Sequence, residues 1–149
     1  VLMITFNIFS VKTFRTLLEK ILEWREKYND VDTHRWQRLG FDTPHLKEPL
    51  QYDMNILPKS YMSYMHDHLQ FIKENTDDNR KDAFSTIEYE KFRRVVDYME
   101  KTEYPLDRII QGRTDFHNFF AEQGRRRNVD HTSVFPEMKD FFNLCKEYV

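Results

Sequence analysis

Two polar residues stand where short apolar runs end, and their types suit recognition of a small molecule. Asn7 closes the run Val1-Leu2-Met3-Ile4-Thr5-Phe6-Asn7, and Asp42 closes Arg38-Leu39-Gly40-Phe41-Asp42. An amide and a carboxylate at adjacent strand ends could bind ribose hydroxyls, an amino group or a carboxylate. Both residue types also form turns and satisfy backbone donors where strands stop, and spacing alone favours that plainer role. The pair His66-x-His68 has the wrong spacing for a helical metal site, because residues two apart point away from each other. Helical metal pairs need i, i+4 spacing, and His34, His45, His117 and His131 show no ligand spacing either. Arg125-Arg126-Arg127 could meet a phosphate or a carboxylate. Its position favours a helix end, where cations complement the helix dipole.

Cys145 is the one cysteine. A lone thiol on an apolar helix face behaves as a small buried hydrophobe. Zinc sites and iron–sulfur clusters need three or four ligands, for clusters mostly thiolates. One thiol does not meet that count for a cluster or any other multi-thiolate site, and no disulfide can close within the chain. There is no glycine-rich phosphate loop, no G-x-S-x-G and no Walker sequence, so hydrolysis without a cofactor has no support.

These residues need elements to position them. In residues 2–8, Leu2, Ile4, Phe6 and Ile8 fall on one face of a strand, and Val1, Met3, Thr5 and Asn7 on the other. Ser10 is the expected N-cap of an amphipathic helix built on Phe14, Leu17, Leu18, Ile21 and Leu22, then Trp24 or Arg25 and Tyr28. A polar turn at residues 29–33 ends it. A second strand is expected over residues 38–42, stopped by Pro44, which has no ladder donor. Strand, helix and strand make one βαβ unit, whose strands run parallel. Residues 54–57 are expected to be extended or a small edge strand.

The rest reads as helix. Pro58 suits a first helical turn, ahead of Tyr61, Met62, Met65, Leu69 and Ile72 on one face. Residues 75–81 form a charged loop. Ser85 and Glu88 make a capping box for a helix burying Phe92, Val95, Val96 and Met99. Pro105 opens another with Leu106, Ile109, Ile110, Phe116, Phe119 and Phe120, which Gly112 is expected to break or bend. Phe135-Pro136 precedes a last short helix with Met138, Phe141, Phe142 and Leu144.

Composition sets outer bounds. With 40% hydrophobic and 32% charged residues the chain should fold. Three glycines disfavour an all-β fold rich in tight turns. A formal charge of −2 gives no overall attraction to nucleic acid or to anionic membrane. The opening apolar run is about half the length of a membrane-spanning helix and lacks the basic start of a signal peptide. It begins with Val, as expected of a piece cut from a longer polypeptide. A single cysteine suits a reducing compartment, and a cytoplasmic location is expected.

Four segments, in order, carry a family resemblance: Met3-Ile4-Thr5-Phe6-Asn7; Gly40-Phe41-Asp42-Thr43-Pro44; Arg113-Thr114-Asp115-Phe116-His117-Asn118-Phe119-Phe120; and Arg125-Arg126-Arg127-Asn128 leading to Phe135-Pro136-Glu137. Together they resemble the C-terminal half of radical SAM enzymes of the twitch-domain kind. The resemblance implies an α/β fold, the C-terminal part of a partial (β/α) barrel. Residues 1–57 would supply one βαβ unit and residues 58–149 a mostly α-helical extension. Such enzymes reduce S-adenosylmethionine with a [4Fe–4S] cluster, and the resulting 5′-deoxyadenosyl radical abstracts a substrate hydrogen. Their C-x-x-x-C-x-x-C loop is absent here, so the chain alone would bind neither cluster nor SAM and would not be active. The resemblance places Thr5 and Asn7 where family members contact the nucleoside. It places Asp42 and Thr43 at a later strand end near the adenine. The implied partners are the N-terminal barrel strands of the parent chain and a peptide or small-molecule substrate. Two other function classes compete: a stand-alone helical protein-interaction module without catalytic activity, and nucleic-acid binding through the arginine run. Net acidity makes the second the weaker.

Overall fold

Hydrogen bonds from alternate backbone N–H groups join the two ends of the predicted βαβ unit side by side. The structure, a computed structural model, describes residues 1–28 and 39–149. The expected turn at 29–33, His34 and the first residue of the second expected strand, Arg38, lie outside the described residues.

Strand β1 (Leu2–Met3) pairs in parallel with β2 (Phe41–Asp42). Leu2, Ile4 and Phe6 donate to the carbonyls of Gly40, Asp42 and Pro44 at 2.7, 2.8 and 2.6 Å. A parallel bridge between Phe6 and His45 continues the same register. The parallel pairing is as expected, but the regular strands are shorter than residues 2–8 and 38–42. The chain leaves the ladder at Asn7, whose carbonyl accepts from the Ser10 N–H and closes a turn. Alternation holds throughout: Phe6 and Ile8 are fully buried, while Val1 and Met3 are 84% and 65% exposed. Among the described residues no strand lies against the other edge of β1.

Helix α1 (Phe14–Tyr28) starts four residues after the expected cap. The Ser10 hydroxyl instead accepts from the Asn7 N–H at 3.2 Å. Phe14, Leu18 and Ile21 form its buried stripe, and Arg25 continues it one turn later. Residues 54–57 are not a strand: Met54–Ile56 is a 3-10 turn, following another at Leu50–Tyr52. The Asp53 carboxylate accepts from the Asn55 N–H, which starts that turn and rules out extended backbone.

Four more helices carry the extension with a one-turn helix between them: α2 (Met62–Glu74), α3 (Thr86–Lys101), α4 (Leu106–Arg127), α5 (His131–Val134) and α6 (Lys139–Lys146). The Ser85–Glu88 capping box is present in both directions, a device worth about 0.5–2 kcal/mol. Gly112 does not break the helix, because α4 runs through it for 22 residues. It is buried where Leu50 and Ile56 press on α4, and a Cβ there would come within 2.5 Å of the Ile56 methyl. The buried stripe of α4 runs through Gly112, Phe116 and Phe120, so Leu106, Ile110 and Phe119, expected inside, are exposed. In all, 65% of the described structure is helical, with two short parallel strands.

One aromatic core crosses the expected boundary at residue 57. Phe6 and Phe14 meet Phe92 of α3, at 5.5 and 4.9 Å between centroids. Phe9, in the turn after β1, meets Phe116, Phe120, Phe135 and Phe142. Arg25, fully buried, ties α1 to the rest. It donates to the Leu39 and Ala83 carbonyls, each at 2.7 Å, and to the Glu88 carboxylate. Glu88 also accepts from the N–H of Phe41 at 3.1 Å, which seals the outer edge of β2 with α3.

Candidate functional site

Beyond the Phe6–His45 bridge the two strands separate, and their carboxyl ends face a polar cluster. In α/β folds with parallel strands this end carries the chemistry. The pleat divides the four candidate residues between two faces. Thr5, Asn7 and Asp42 fall on the face opposite the buried one, although Asp42 at the edge still reaches Lys91 of α3. Thr43 shares the inner face with Phe41 and His45, and it is only 4% exposed.

Asn7 is spent locally. Its side-chain oxygen accepts from the Phe9 N–H at 2.9 Å, and its amide donates to the Thr5 carbonyl at 3.1 Å. This is the turn-forming role that spacing favoured. Asp42 accepts from the Thr43 N–H and pairs with Lys91 of α3, both at 2.8 Å. Register sets Asp42 opposite Met3, so Asn7 lies further along the strand direction than Asp42. Thr43 differs: its hydroxyl is shielded from solvent and has no hydrogen-bond partner among the described residues.

Thr43 leads into a cluster that sequence patterns did not single out. Asp53 is fully buried between the two 3-10 turns. One carboxylate oxygen accepts from the Asn55 N–H at 2.9 Å and from its side-chain amide at 3.2 Å. The other accepts from the hydroxyls of Tyr98 and Tyr104. The two hydroxyl oxygens lie 3.1 Å apart. The His45 ring packs on Tyr98 with centroids 4.4 Å apart. Lys47 Nζ sits 4.7 Å from the Tyr98 ring and the Arg108 guanidinium 4.6 Å from the Tyr104 ring.

The electrostatics follow from burial. Desolvation, then the hydrogen bond with Tyr104 and the charge of Asp53, push the Tyr98 hydroxyl well above the usual phenol range. Tyr104 moves the same way, through desolvation and its bond to Asp53. Both therefore stay protonated and act as donors. Desolvation and nearby Lys47 lower the His45 pKa, against a smaller upward pull from Asp53. A neutral imidazole, an amide and a hydroxyl are left with capacity to spare. Among the described residues His45 Nε2, Asn55 Oδ1 and Thr43 Oγ1 are buried without partners. The amide oxygen can accept a hydrogen bond, and the hydroxyl and the ring nitrogen can donate or accept one. Members of the cluster come from four segments, so no local spacing marks them. The one sequence signal is Asp53-x-Asn55, an Asx-type pair outside any strand or helix pattern.

The other singled-out residues are accounted for. His66 is on the surface, 3.2 Å from Glu100. His68 is buried, with Nε2 2.6 Å from the Val11 carbonyl. Burial pushes the Cys145 thiol up to about 12. Arg125 and Arg126 both pair with Glu122 at 2.6 Å on the exposed end of α4, the helix-end role. Among the described residues no group of three or more His, Cys, Asp or Glu is placed to hold a metal, and no helix is long and apolar enough to cross a membrane. No protein-family model, no curated protein and no solved structure matches the chain.

Proposed function

We propose that the chain is the C-terminal portion of a radical SAM enzyme, contributing part of the SAM and substrate wall. The observation that carries this is the parallel β1–β2 pair with α1 between its strands, helices on one face and the other face open. In a (β/α) barrel the helix-covered face is the outside and the opposite face lines the lumen. Met3, Thr5 and Asn7 would then face the lumen, and the unpaired edge of β1 would meet the preceding barrel strand.

Such enzymes draw hydrogen-atom abstraction from SAM and a [4Fe–4S] cluster. The residues present do not fit the cluster: one thiol, buried and held protonated, is no ligand set. For SAM, the residues this reading offers are Thr5 and Asn7 on the open face; Thr43, His45 and Asn55, whose polar atoms are buried without partners, lie on the helix-covered side. In this reading Asn7 keeps the first strand end in a fixed turn, and Thr5 on the same face meets the nucleoside. The Asp53–Tyr98–Tyr104 cluster holds the second strand end rigid.

The test is the coding sequence on the 5′ side of the Val1 codon. A C-x-x-x-C-x-x-C loop about a barrel's length upstream is expected. In the reconstituted parent, Thr5→Val should weaken SAM binding about tenfold by removing a hydroxyl partner. An upstream frame with no such loop would end the proposal.

A second reading has an observation of its own. The single core uniting residues 1–57 with the helices suits a stand-alone interaction module. A monomeric chain with one sharp two-state melt would favour it.

A further inference from the structure

At the opposite end of α4, a cleft of about 230 Å³ opens between α4, α5 and α6. Phe120, Phe142 and Val129 give it an apolar floor, and His117, Arg125, His131 and Lys146 border it. The one acid on its rim, Asp130, is spent: it accepts from the Thr132 N–H and hydroxyl and from Ser133 as it caps α5. Glu122 occupies Nε and Nη2 of Arg125, which leaves Nη1 toward other partners. Lys146 reaches only the Asn143 side-chain oxygen, at 3.4 Å, among the described residues.

His131 is the unusual member. Its ring is nearly parallel to Phe142, at 4° and 6.4 Å, and lies edge-on to Phe120 at 5.2 Å. Both ring nitrogens are shielded, and neither has a hydrogen-bond partner among the described residues. A buried imidazole without partners is costly unless something satisfies it. The local backbone makes room for it. Asn128 ends α4 in the left-handed region at φ 52°, and the chain folds back so that Val129 N–H bonds the Gly124 carbonyl. A Cβ at Gly124 would sit 2.6 Å from the Val129 carbonyl oxygen and 3.5 Å from the His131 ring. Glycine at 124 is what lets the Val129 carbonyl turn back against α4, ahead of the His131 ring.

We propose that this cleft binds a small aromatic carboxylate. The flat body lies against Phe120 and Phe142, and the carboxylate lies between Arg125 and Lys146. A small rotation of His131 then gives a ring N–H an acceptor. The volume fits: a cavity of about 150 Å³ holds benzene, so this one has room for the same ring with a carboxylate. Arg and Lys supply the charge-assisted hydrogen bonds that carboxylates favour. The cleft is built from α4, α5 and α6 alone, so it stands or falls separately from the barrel assignment.

The test is an NMR titration of the whole isotopically labelled chain with benzoate, with benzyl alcohol and inorganic phosphate as parallel arms. Benzoate should give saturable shifts confined to α4 beyond His117, to α5 and to α6, weakening with added salt. Arg125→Gln with Lys146→Gln, and separately His131→Phe, should each weaken binding about tenfold while far-UV circular dichroism is unchanged. His131→Phe keeps an aromatic ring and removes the nitrogens, and unchanged affinity for benzyl alcohol in that variant shows that the larger ring has not closed the cleft, so a loss confined to benzoate reports hydrogen bonding. Benzyl alcohol binding as tightly as benzoate would overturn the role of charge. Phosphate binding as tightly would overturn the aromatic body. No saturable shift by about 10 mM benzoate overturns the site.

Discussion

Replacing Arg25 with methionine should be among the most damaging single changes available. The side chain is fully buried and makes three separate attachments: to the Leu39 carbonyl, the Ala83 carbonyl and the Glu88 carboxylate. Methionine fills much of the volume, so packing loss is small. What remains is a carboxylate 5% exposed that has lost its only charged partner among the described residues. Removing one member of a buried ion pair costs about 3–5 kcal/mol. Glu88 keeps the N–H groups of Phe41 and Ser85 and the Ser85 hydroxyl, which argues for the lower half of that range. A further loss of about 1 kcal/mol comes from the two carbonyls that lose a donor. The expected total is about 4 kcal/mol, a large share of the ~5–15 kcal/mol that holds a domain folded. Urea denaturation followed by circular dichroism measures it. Glu88→Gln should cost less, because an amide oxygen in the Oε2 position still accepts from Arg25 and Phe41, and only the Ser85 bonds on the other side are lost. The double variant Arg25→Met, Glu88→Gln should cost less than the sum of the two singles, with coupling of about 1–3 kcal/mol. An Arg25→Met variant within about 1 kcal/mol of the parent, as at an ordinary surface position, would refute the view that this ion pair joins α1, β2 and α3.

Three further outcomes are expected. Gly112→Ala gains about 1 kcal/mol of helix propensity but drives a methyl to 2.5 Å from Ile56 and 3.1 Å from Leu50; overpacking costs about 1–3 kcal/mol, so denaturation should show a net loss. His68 and His45 both have pKa values lowered from 6.5, chiefly by burial. The unfolded chain therefore binds these protons first. Their contribution to stability is complete above 6.5 and is lost as pH falls from there toward the lower folded values. The melting temperature should drop from pH 7.5 to 5.5, and His68→Phe should flatten that slope; an unchanged slope sinks the assignment for His68. Cys145 is fully buried with its thiol pushed up to about 12, so native protein at pH 8 should resist a thiol reagent that modifies the urea-unfolded chain at once.

What the sequence made legible depended on how local the signal was. The capping box at Ser85 and Glu88 lies within one helical turn, and the structure forms it in both directions. The alternation of Leu2, Ile4, Phe6 and Ile8 fixed which face of β1 is covered, and the parallel pairing followed from the helix between the strands. Strand length was not legible, because Asn7 and Ser10 compete for the backbone with a turn of their own. Arg25 sat on the apolar stripe of α1 as an alternative to Trp24. Only partners 14 and 63 residues away, Leu39 and Glu88, decide between them. The same holds for Asp53, whose tyrosines lie 45 and 51 residues distant. A buried carboxylate is unreadable until the fold brings its donors. Thr43 was placed by resemblance, and alternation from Phe41 puts its unpartnered hydroxyl on the helix-covered face, not on the face that Thr5 and Asn7 share.

The Phe9 hub has a consequence for how the polypeptide comes together in time. Four rings from residues 116 to 142 surround it, and the neighbouring Lys12 ammonium donates to the Glu137 carbonyl across 125 residues. During synthesis the segment after β1 therefore waits, with an aromatic side chain uncovered, until residues 116–142 have left the ribosome. Joining partners so far apart carries the loop-closure cost of a long segment. Docking of α6 is thus a late step, and amides of residues 7–12 and 139–146 should acquire hydrogen-exchange protection together, after those of α2 and α3.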